Sequence, residues 1–356
     1  MAGYAVAVVG ATGAVGTEML LTLERRDFPV KSLRVLASER SVGRKVKFCG
    51  QELPVAELKA DSFAGIDLAL FSAGASRSRE FCPAAVAAGA LVVDNSSAFR
   101  MDPEVPLVIP EINPRDAKRH PPKGIIANPN CSTIIMAVPV WPLHQAARLK
   151  RLIAATYQAT SGAGARAMAE LESQTRDVLA GQPAVPAVFP HRIAFNLFSH
   201  DSAVGADGYN VEESKLLCET RKIFHAPKIL VSATCVRVPV YRAHTEALWL
   251  EFARPITPAQ AREILAQAPG VKLVDEPEKN HFPMPVEASG QDDVLVGRIR
   301  EDSSRPGGKA LVLLVAGDQI LKGAALNAVQ IAELVFKPRR KAKAAPAAPA
   351  APAAPA

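Results

Sequence analysis

The sequence has no Cys-x-x-Cys pair, no apolar run of membrane-spanning length and no basic leader. Its five cysteines, Cys49, Cys82, Cys131, Cys218 and Cys235, are odd in number and scattered. That argues against a disulfide scaffold or a zinc site and for a reducing compartment. No apolar segment approaches the ~20 residues needed to cross a bilayer, and the opening MAGYAVAVVG lacks the charged n-region of a secretory signal. The expectation is a soluble, cytoplasmic protein with no membrane partner and no metal. Acid is missing from the last twenty residues, KPRRKAKAAPAAPAAPAAPA, whose five cations account for most of the formal charge of +7 and leave +2 on the rest. A basic tail on a near-neutral body is a poor nucleic-acid signature, so no nucleic-acid partner is expected. The Ala-Pro repeat of 337–356 cannot bury a core, and it reads as a disordered extension.

What remains is rich in short apolar strands. At 49% hydrophobic and 22% charged, the 356 residues have the composition of a folded globular chain with room for two domains. Apolar runs at 4–9, 33–38, 67–73 and 90–96 alternate with helical spacing, for example around 78–88. That pattern predicts a parallel sheet covered on both faces. Beyond residue 131 the strands lengthen, at 151–160, 228–240, 245–252, 293–302 and 309–317, with helices at 163–180, 209–224 and 258–267. This second half reads as an α+β domain with a mixed sheet. The expected organisation is a Rossmann-like nucleotide domain at 1–130, a catalytic and dimerisation domain at 131–317, and a helix at 318–336 returning to the first domain.

GATGAVG, carrying Gly10, Gly13 and Gly16, lies between the first strand and the first helix. Such glycines let backbone approach a pyrophosphate, and the helix N-terminus offers free N–H groups. The second strand ends in ASERSVGRK rather than in a lone acid, so Ser38, Arg40 and Ser41 crowd the place of the ribose 2′ position. Hydroxyls and a cation there suit a 2′-phosphate and favour NADP over NAD, although Glu39 puts an acid in the same stretch. The alternative is a glycine turn followed by a solvated charged loop.

NPNCSTI, residues 128–134, places Cys131 just after Asn130, a good N-cap, and before a buried helix. A thiol in a first helical turn feels the dipole and free N–H groups, which lower its pKa. With a nicotinamide cofactor this suggests a thioester intermediate; without one, a buried structural cysteine would be the better reading. A thiol nucleophile needs an acid/base partner, and His244 stands between strand-like segments close to Arg237 and Arg242. Arg237 and His244 sit at odd separation, so they converge only if the chain bends between them, as Pro239 permits.

The motifs VVGATGAVG, ASERSVGRK, DNSSAFR, NPNCSTI, TYQATSGAG, VEESK, CVRVPVYRAHTEA and AGDQILKGAALNAVQIAEL, in this order and spacing, resemble the aspartate-semialdehyde dehydrogenase family over about residues 1–336. The resemblance implies reversible, NADP-dependent interconversion of L-aspartyl 4-phosphate with L-aspartate 4-semialdehyde and phosphate, on the route to lysine, threonine and methionine. It implies Cys131 as nucleophile, His244 as acid/base and Gln158 as the group orienting the acyl chain. Arg237 would hold the substrate carboxylate and Glu212 its amino group, while Arg100, Asn130 and Lys215 would hold phosphate. Thr12, Gly13, Ala14, Val15, Arg40, Ser41, Ser161, Gly162 and Gln319 would contact NADP. It also implies a homodimer, with a tetramer left open. On residues alone, Glu212 and Lys215 are an ordinary i,i+3 pair on a charged helix face. An N-acetyl-glutamyl-phosphate reductase is the nearest alternative, disfavoured by Glu212, which an acylated amine would not need. A non-catalytic homologue is disfavoured by the presence of both Cys131 and His244.

Overall fold

The computed structural model describes residues 3–336, and the extension read at 337–356 lies outside the described residues. Six strands form the first sheet, all parallel, in the order Ala56–Glu57, Val30–Ala37, Tyr4–Val9, Leu68–Phe71, Leu91–Asp94, Ile125–Ala127. Side chains alternate across a strand, so Val6 and Val8 enter one core while Ala7 and Val9 enter another. Burial on both faces explains why these strands read as continuous apolar runs. The helix Ala14–Arg25 covers the first face with Met19, Leu20 and Leu23. On the other face the helix Ala75–Ala87 contributes Cys82 and Ala85.

The second sheet is mixed, as expected. Its order is Phe198–Ser199, Leu230–Arg237, Leu149–Gln158, His244–Phe252, Ala310–Gly317, Val294–Glu301, Val271–Leu273. Leu230–Arg237 runs parallel to Leu149–Gln158, which is antiparallel to His244–Phe252. His244–Phe252 alternates between fully and partly buried positions along its length. The buried set shares a core with the helices Cys131–Ala147, Val211–Ile223 and Pro258–Ala266. Cys131–Ala147 is buried on every side from Ser132 to Val140 and is exposed only near its C-terminal end, at Gln145 and Ala146. Its Ile134, Ile135, Met136 and Val138 join the same core cluster as Ala7, Val9 and Phe71 of the first sheet.

The predicted C-terminal helix is present with one change. Residues Leu321–Ala325 form a π-turn and only Leu326–Phe336 is α-helical. Asp318 leads into this turn, its Oδ1 accepting the N–H groups of both Ile320 and Leu321 at 3.0 Å. The helix does return to the first domain: Ala328, Val329, Ala332 and Phe336 pack with Met19 and Leu23. Tyr4 Oη donates to the Phe336 carbonyl (2.7 Å), and Lys322, fully buried, pairs with Glu111 at 2.7 Å. Sequence reading did not find the short strands Ala56–Glu57 and Ile125–Ala127 or the hairpin Lys45–Phe48/Gln51–Pro54. Two- to four-residue strands carry too few positions for a periodic signal.

Candidate active site

Cys131 is the first residue of its helix, and Asn130 is the N-cap by geometry. The Asn130 Oδ1 accepts the N–H groups of Ser132 (3.0 Å) and Thr133 (3.2 Å). The Asn130 N–H donates to Glu219 Oε2 (2.7 Å), and its Nδ2 donates to Glu212 Oε1 (2.9 Å). The residue that starts the helix is therefore locked by two buried glutamates from one other helix.

His244 opens its strand. Its Nε2 lies 3.6 Å from Cys131 Sγ, and its Nδ1 accepts the Ala159 N–H at 3.0 Å. With Nδ1 accepting, the proton of the neutral ring sits on Nε2 and faces the sulfur, a tautomer assigned from this hydrogen-bond pattern. Burial, reinforced by Arg237, pushes His244 down to about 3, so the ring is neutral at physiological pH. The bend needed to bring Arg237 and His244 together is made at Ala243, which holds φ +73° while its N–H donates to Gln319 Oε1 (2.8 Å). Gly162 sits against both groups: a Cβ there would lie 3.2 Å from Arg237 Nη1 and 3.2 Å from His244 Cε1.

One expectation fails. The helix start was expected to lower the Cys131 pKa, but burial pushes the thiol up to about 12, with Glu212 adding to the rise. Arg100, Lys215 and the Ser132 N–H pull the other way and are outweighed. The dipole is worth only about 0.3–2 kcal/mol, less than removing a thiolate from water costs in a closed site.

The charged residues singled out in the sequence converge here. Glu212, 4% exposed, accepts from Asn130, from Gln158 Nε2 (3.2 Å) and from Lys215 Nζ (2.9 Å). Burial would raise its pKa, but Lys215, His200 and these hydrogen bonds hold it down at about 2. Gln158 also accepts from Thr156 Oγ1 (3.1 Å). Lys215 and Glu212 are thus both the i,i+3 pair of the plain reading and part of the cluster beside Cys131. Arg100 lies in the same cluster with its fork turned inward: Nη1 meets Glu219 at 3.1 Å, and Nε and Nη2 donate to the Asn128 and Asn95 carbonyls (2.9 Å each). Arg237 donates to the Ala159 carbonyl and to Asp201. Arg242 does not join them; it bridges Asp318 (2.6 Å) and Glu18 (3.0 Å). Sequence reading missed Glu219, although it falls two helical turns after Glu212 and so on the same face.

The nucleotide end is built differently. Gly10 takes φ +84°, and a Cβ there would meet the Ser72 carbonyl oxygen at 2.2 Å; one on Gly16 would meet the Gly10 carbonyl oxygen at 2.1 Å. Strand, turn and helix therefore close to backbone contact. Gly13 is the N-cap in ordinary extended conformation, and no side chain caps the turn that begins Ala14, Val15. Those N–H groups suit an anion. Ser38 precedes the 3₁₀ turn Glu39–Ser41, Ser41 Oγ lies 3.2 Å from Thr12 Oγ1, and Arg40 and Glu39 are exposed. Beside the thiol, Gln319 Nε2 donates to Ser161 Oγ, and a Cβ on Gly323 would lie 2.9 Å from Cys131 Cβ. The residues assigned to a dinucleotide thus run from the glycine turn to the thiol. Among the described residues no cluster of ligands could hold a metal ion, and no helix is long and apolar enough to cross a membrane.

Comparison with known proteins agrees with this layout. Residues 5–120 match the family described as semialdehyde dehydrogenase, NAD binding domain, and residues 140–322 match semialdehyde dehydrogenase, dimerisation domain. The aspartate-semialdehyde dehydrogenase of Synechocystis sp. is 56% identical over 330 residues, 93% of this chain and 96% of that one. The crystal structure of aspartate semialdehyde dehydrogenase II from Vibrio cholerae, complexed with ASA, is 44% identical and superposes with a TM-score of 0.91 over 94% of this chain and 98% of that one. A Candida albicans aspartate semialdehyde dehydrogenase solved with NADP is 26% identical, with a TM-score of 0.72 over 94% of this chain and 98% of that one. The chain belongs to the aspartate-semialdehyde dehydrogenase family, oxidoreductases with an N-terminal NAD(P)-binding domain.

Proposed function

We propose that the protein catalyses the reversible, NADP-dependent reduction of L-aspartyl 4-phosphate to L-aspartate 4-semialdehyde with release of phosphate, in the biosynthesis of lysine, threonine and methionine. The observation that carries this reading is the Cys131–His244 contact at 3.6 Å beside the buried carboxylate of Glu212 and the cations Lys215, Arg100 and Arg237. A substrate with an acyl phosphate, an α-carboxylate and an ammonium needs that set of charges.

In the reductive direction Cys131 Sγ attacks the acyl carbonyl, and phosphate departs with the bonding electrons and takes up the thiol proton as hydrogen phosphate, leaving a thioester on Cys131. Lys215, Arg100 and the Asn130 amide hold the phosphate as its charge grows, lysine acting as a point charge and arginine as a fork. Gln158 aligns the acyl group, Arg237 takes the α-carboxylate and Glu212 the ammonium. NADP in its reduced form supplies the hydride when bound. Gly10, Thr12, Gly13, Ala14, Val15, Ser38, Arg40, Ser41, Ser161, Gly162 and Gln319 would hold it. His244 Nε2–H hydrogen-bonds to the carbonyl oxygen as charge develops there, a task for which a neutral buried imidazole is suited. When the reduced intermediate collapses, the aldehyde leaves and the Cys131 sulfur is regained. The cations that hold phosphate, Arg100 and Lys215, also oppose the rise in the thiol pKa. The 140–322 domain forms the homodimer, and the five free cysteines are those of a cytoplasmic enzyme.

The test is phosphate-dependent reduction of NADP, then of NAD, with L-aspartate 4-semialdehyde, and with N-acetyl-glutamate 5-semialdehyde in parallel. Turnover of the first aldehyde, faster with NADP, is expected. Turnover of the acetylated aldehyde alone would reject the substrate, and equal rates with NAD would reject the cofactor preference.

A further inference from the structure

The turn His200–Asp201–Ser202 has no part in the assignments above, yet it touches two of the residues they depend on. It follows the strand Phe198–Ser199, which pairs antiparallel with Leu230–Arg237 so that Phe198 stands opposite Arg237. The His200 N–H donates to the Cys235 carbonyl at 2.9 Å, fixing the turn to the edge of the sheet.

On one side the turn holds Arg237. The Arg237 Nη2 lies 2.9 Å from Asp201 Oδ1 and 2.9 Å from His200 Nε2, while Nη1 donates to the Ala159 carbonyl at 3.2 Å. Its guanidinium carbon sits 5.4 Å from the centre of the Phe189 ring. The buried Nε has no protein partner among the described residues and remains for a ligand. Burial would raise the Asp201 pKa, but Arg237 outweighs it, and the carboxylate stays ionised. On the other side the turn holds the helix carrying Glu212. Ser202 Oγ accepts the Glu212 N–H at 3.2 Å and lies 3.1 Å from His200 Nδ1, closing a chain from Arg237 through His200 and Ser202 to Glu212.

We propose that His200, Asp201 and Ser202 are positioning residues that set specificity for the α-amino-acid end of the substrate. Asp201 and His200 orient the Arg237 fork toward a carboxylate, and Ser202 orients Glu212 toward an ammonium. The inference rests on the substrate reading above and adds to it the group that aligns its two recognition charges. A planar fork reads a carboxylate only within about 10–20° of the productive orientation, and Arg237 alone has several rotatable bonds. The Asp201 side chain is 29% exposed. The Arg237 side chain is only 4% exposed, so Asp201 both compensates a buried charge and fixes the direction of its fork.

The experiment compares three aldehydes in the phosphate-dependent assay with the full chain: L-aspartate 4-semialdehyde, 3-aminopropanal, which lacks the carboxylate, and succinate semialdehyde, which lacks the amine. Asp201→Asn should lower kcat/KM for L-aspartate 4-semialdehyde by about tenfold or more. The loss should come through KM, with kcat within about threefold of wild type. Because 3-aminopropanal should be unaffected, the preference for the carboxylate-bearing substrate should collapse. Ser202→Ala should narrow the preference over succinate semialdehyde instead, and Asp201→Glu should restore part of what Asp201→Asn loses. A uniform loss on all three aldehydes, or unchanged ratios, would overturn the positioning role. If Asp201→Asn does not accumulate as folded protein, Ser202→Ala carries the same ratio test. Wild-type turnover with unchanged ratios in the variants removes this inference alone. No wild-type turnover of L-aspartate 4-semialdehyde removes the substrate reading and this inference together.

Discussion

The two ends of the site recognise their ligands by opposite means. At the glycine turn the groups offered are backbone N–H donors and partly exposed side chains; Arg40 lies open to solvent and Gly10 is there because nothing larger fits. Around Cys131 the groups are buried side chains already bonded to one another: Glu212 has three partners, Asn130 has four, and Arg100 and Glu219 pair at 3.1 Å. The first arrangement binds whatever has the right backbone-accessible phosphate, and single side chains there tune affinity. The second is a network in which removing one member leaves others unpaired at low dielectric, so single changes should act on turnover and strongly.

The largest expected effect is therefore at the thiol. Cys131→Ser should lower phosphate-dependent turnover by roughly 10³-fold or more while leaving the Kd for NADP within about twofold. Near-normal turnover would remove Cys131 as nucleophile, and a matching loss of NADP binding would erase the separation between the two ends. His244→Asn comes next, with a loss of about 10²–10⁴-fold in kcat. Iodoacetamide labelling of Cys131 at pH 7 should slow in this variant, because the Nε2 donor facing the sulfur is gone; unchanged labelling would show that the 3.6 Å contact has no bearing on the thiol.

The nucleotide end should give a smaller, more selective response. Arg40→Ala is expected to raise KM for NADP by about tenfold and to leave kcat and the KM for NAD nearly unchanged, since only the 2′-phosphate distinguishes the two. Equal effects on both cofactors would place Arg40 on a phosphate common to both, or on none.

Both ends were legible in the sequence where the signal is local. The glycine spacing, the Asn130 cap and the strand read at 245–252 each depend on residues within a few positions of one another, and each appears in the structure at the expected place. What could not be read was set by chain segments far apart. Glu219 meets Asn130 across 89 residues, and Asp201 meets Arg237 across 36. Arg242 is two residues before His244 in sequence, but Glu18, 224 residues away, and Asp318 hold it apart from the cluster. The pKa of Cys131 failed for a related reason: the helix start was visible, while the enclosure that outweighs it is a property of the whole core.

The smallest effect concerns stability and extends the contrast below the site. Glu246 shares a face with His244, two residues on, and lies in register with Thr156 and, through it, Cys235. It is fully buried, and neither carboxyl oxygen has a protein partner among the described residues. Burial, with Glu212 adding to it, raises its pKa well above the ordinary carboxylate range. A group whose pKa is raised by folding contributes its full stability below the unfolded value of about 4.3 and loses it as pH climbs toward the folded value. Wild-type protein should therefore lose stability through this group as pH rises above about 5. Glu246→Gln keeps the shape and removes the titration, so its Tm should match wild type near pH 5 and exceed it by roughly 2–6 °C at pH 9. A Tm difference that does not change with pH would mean that Glu246 stays ionised across the range. Then the floor of the site would be part of the charged network above it rather than its insulating layer.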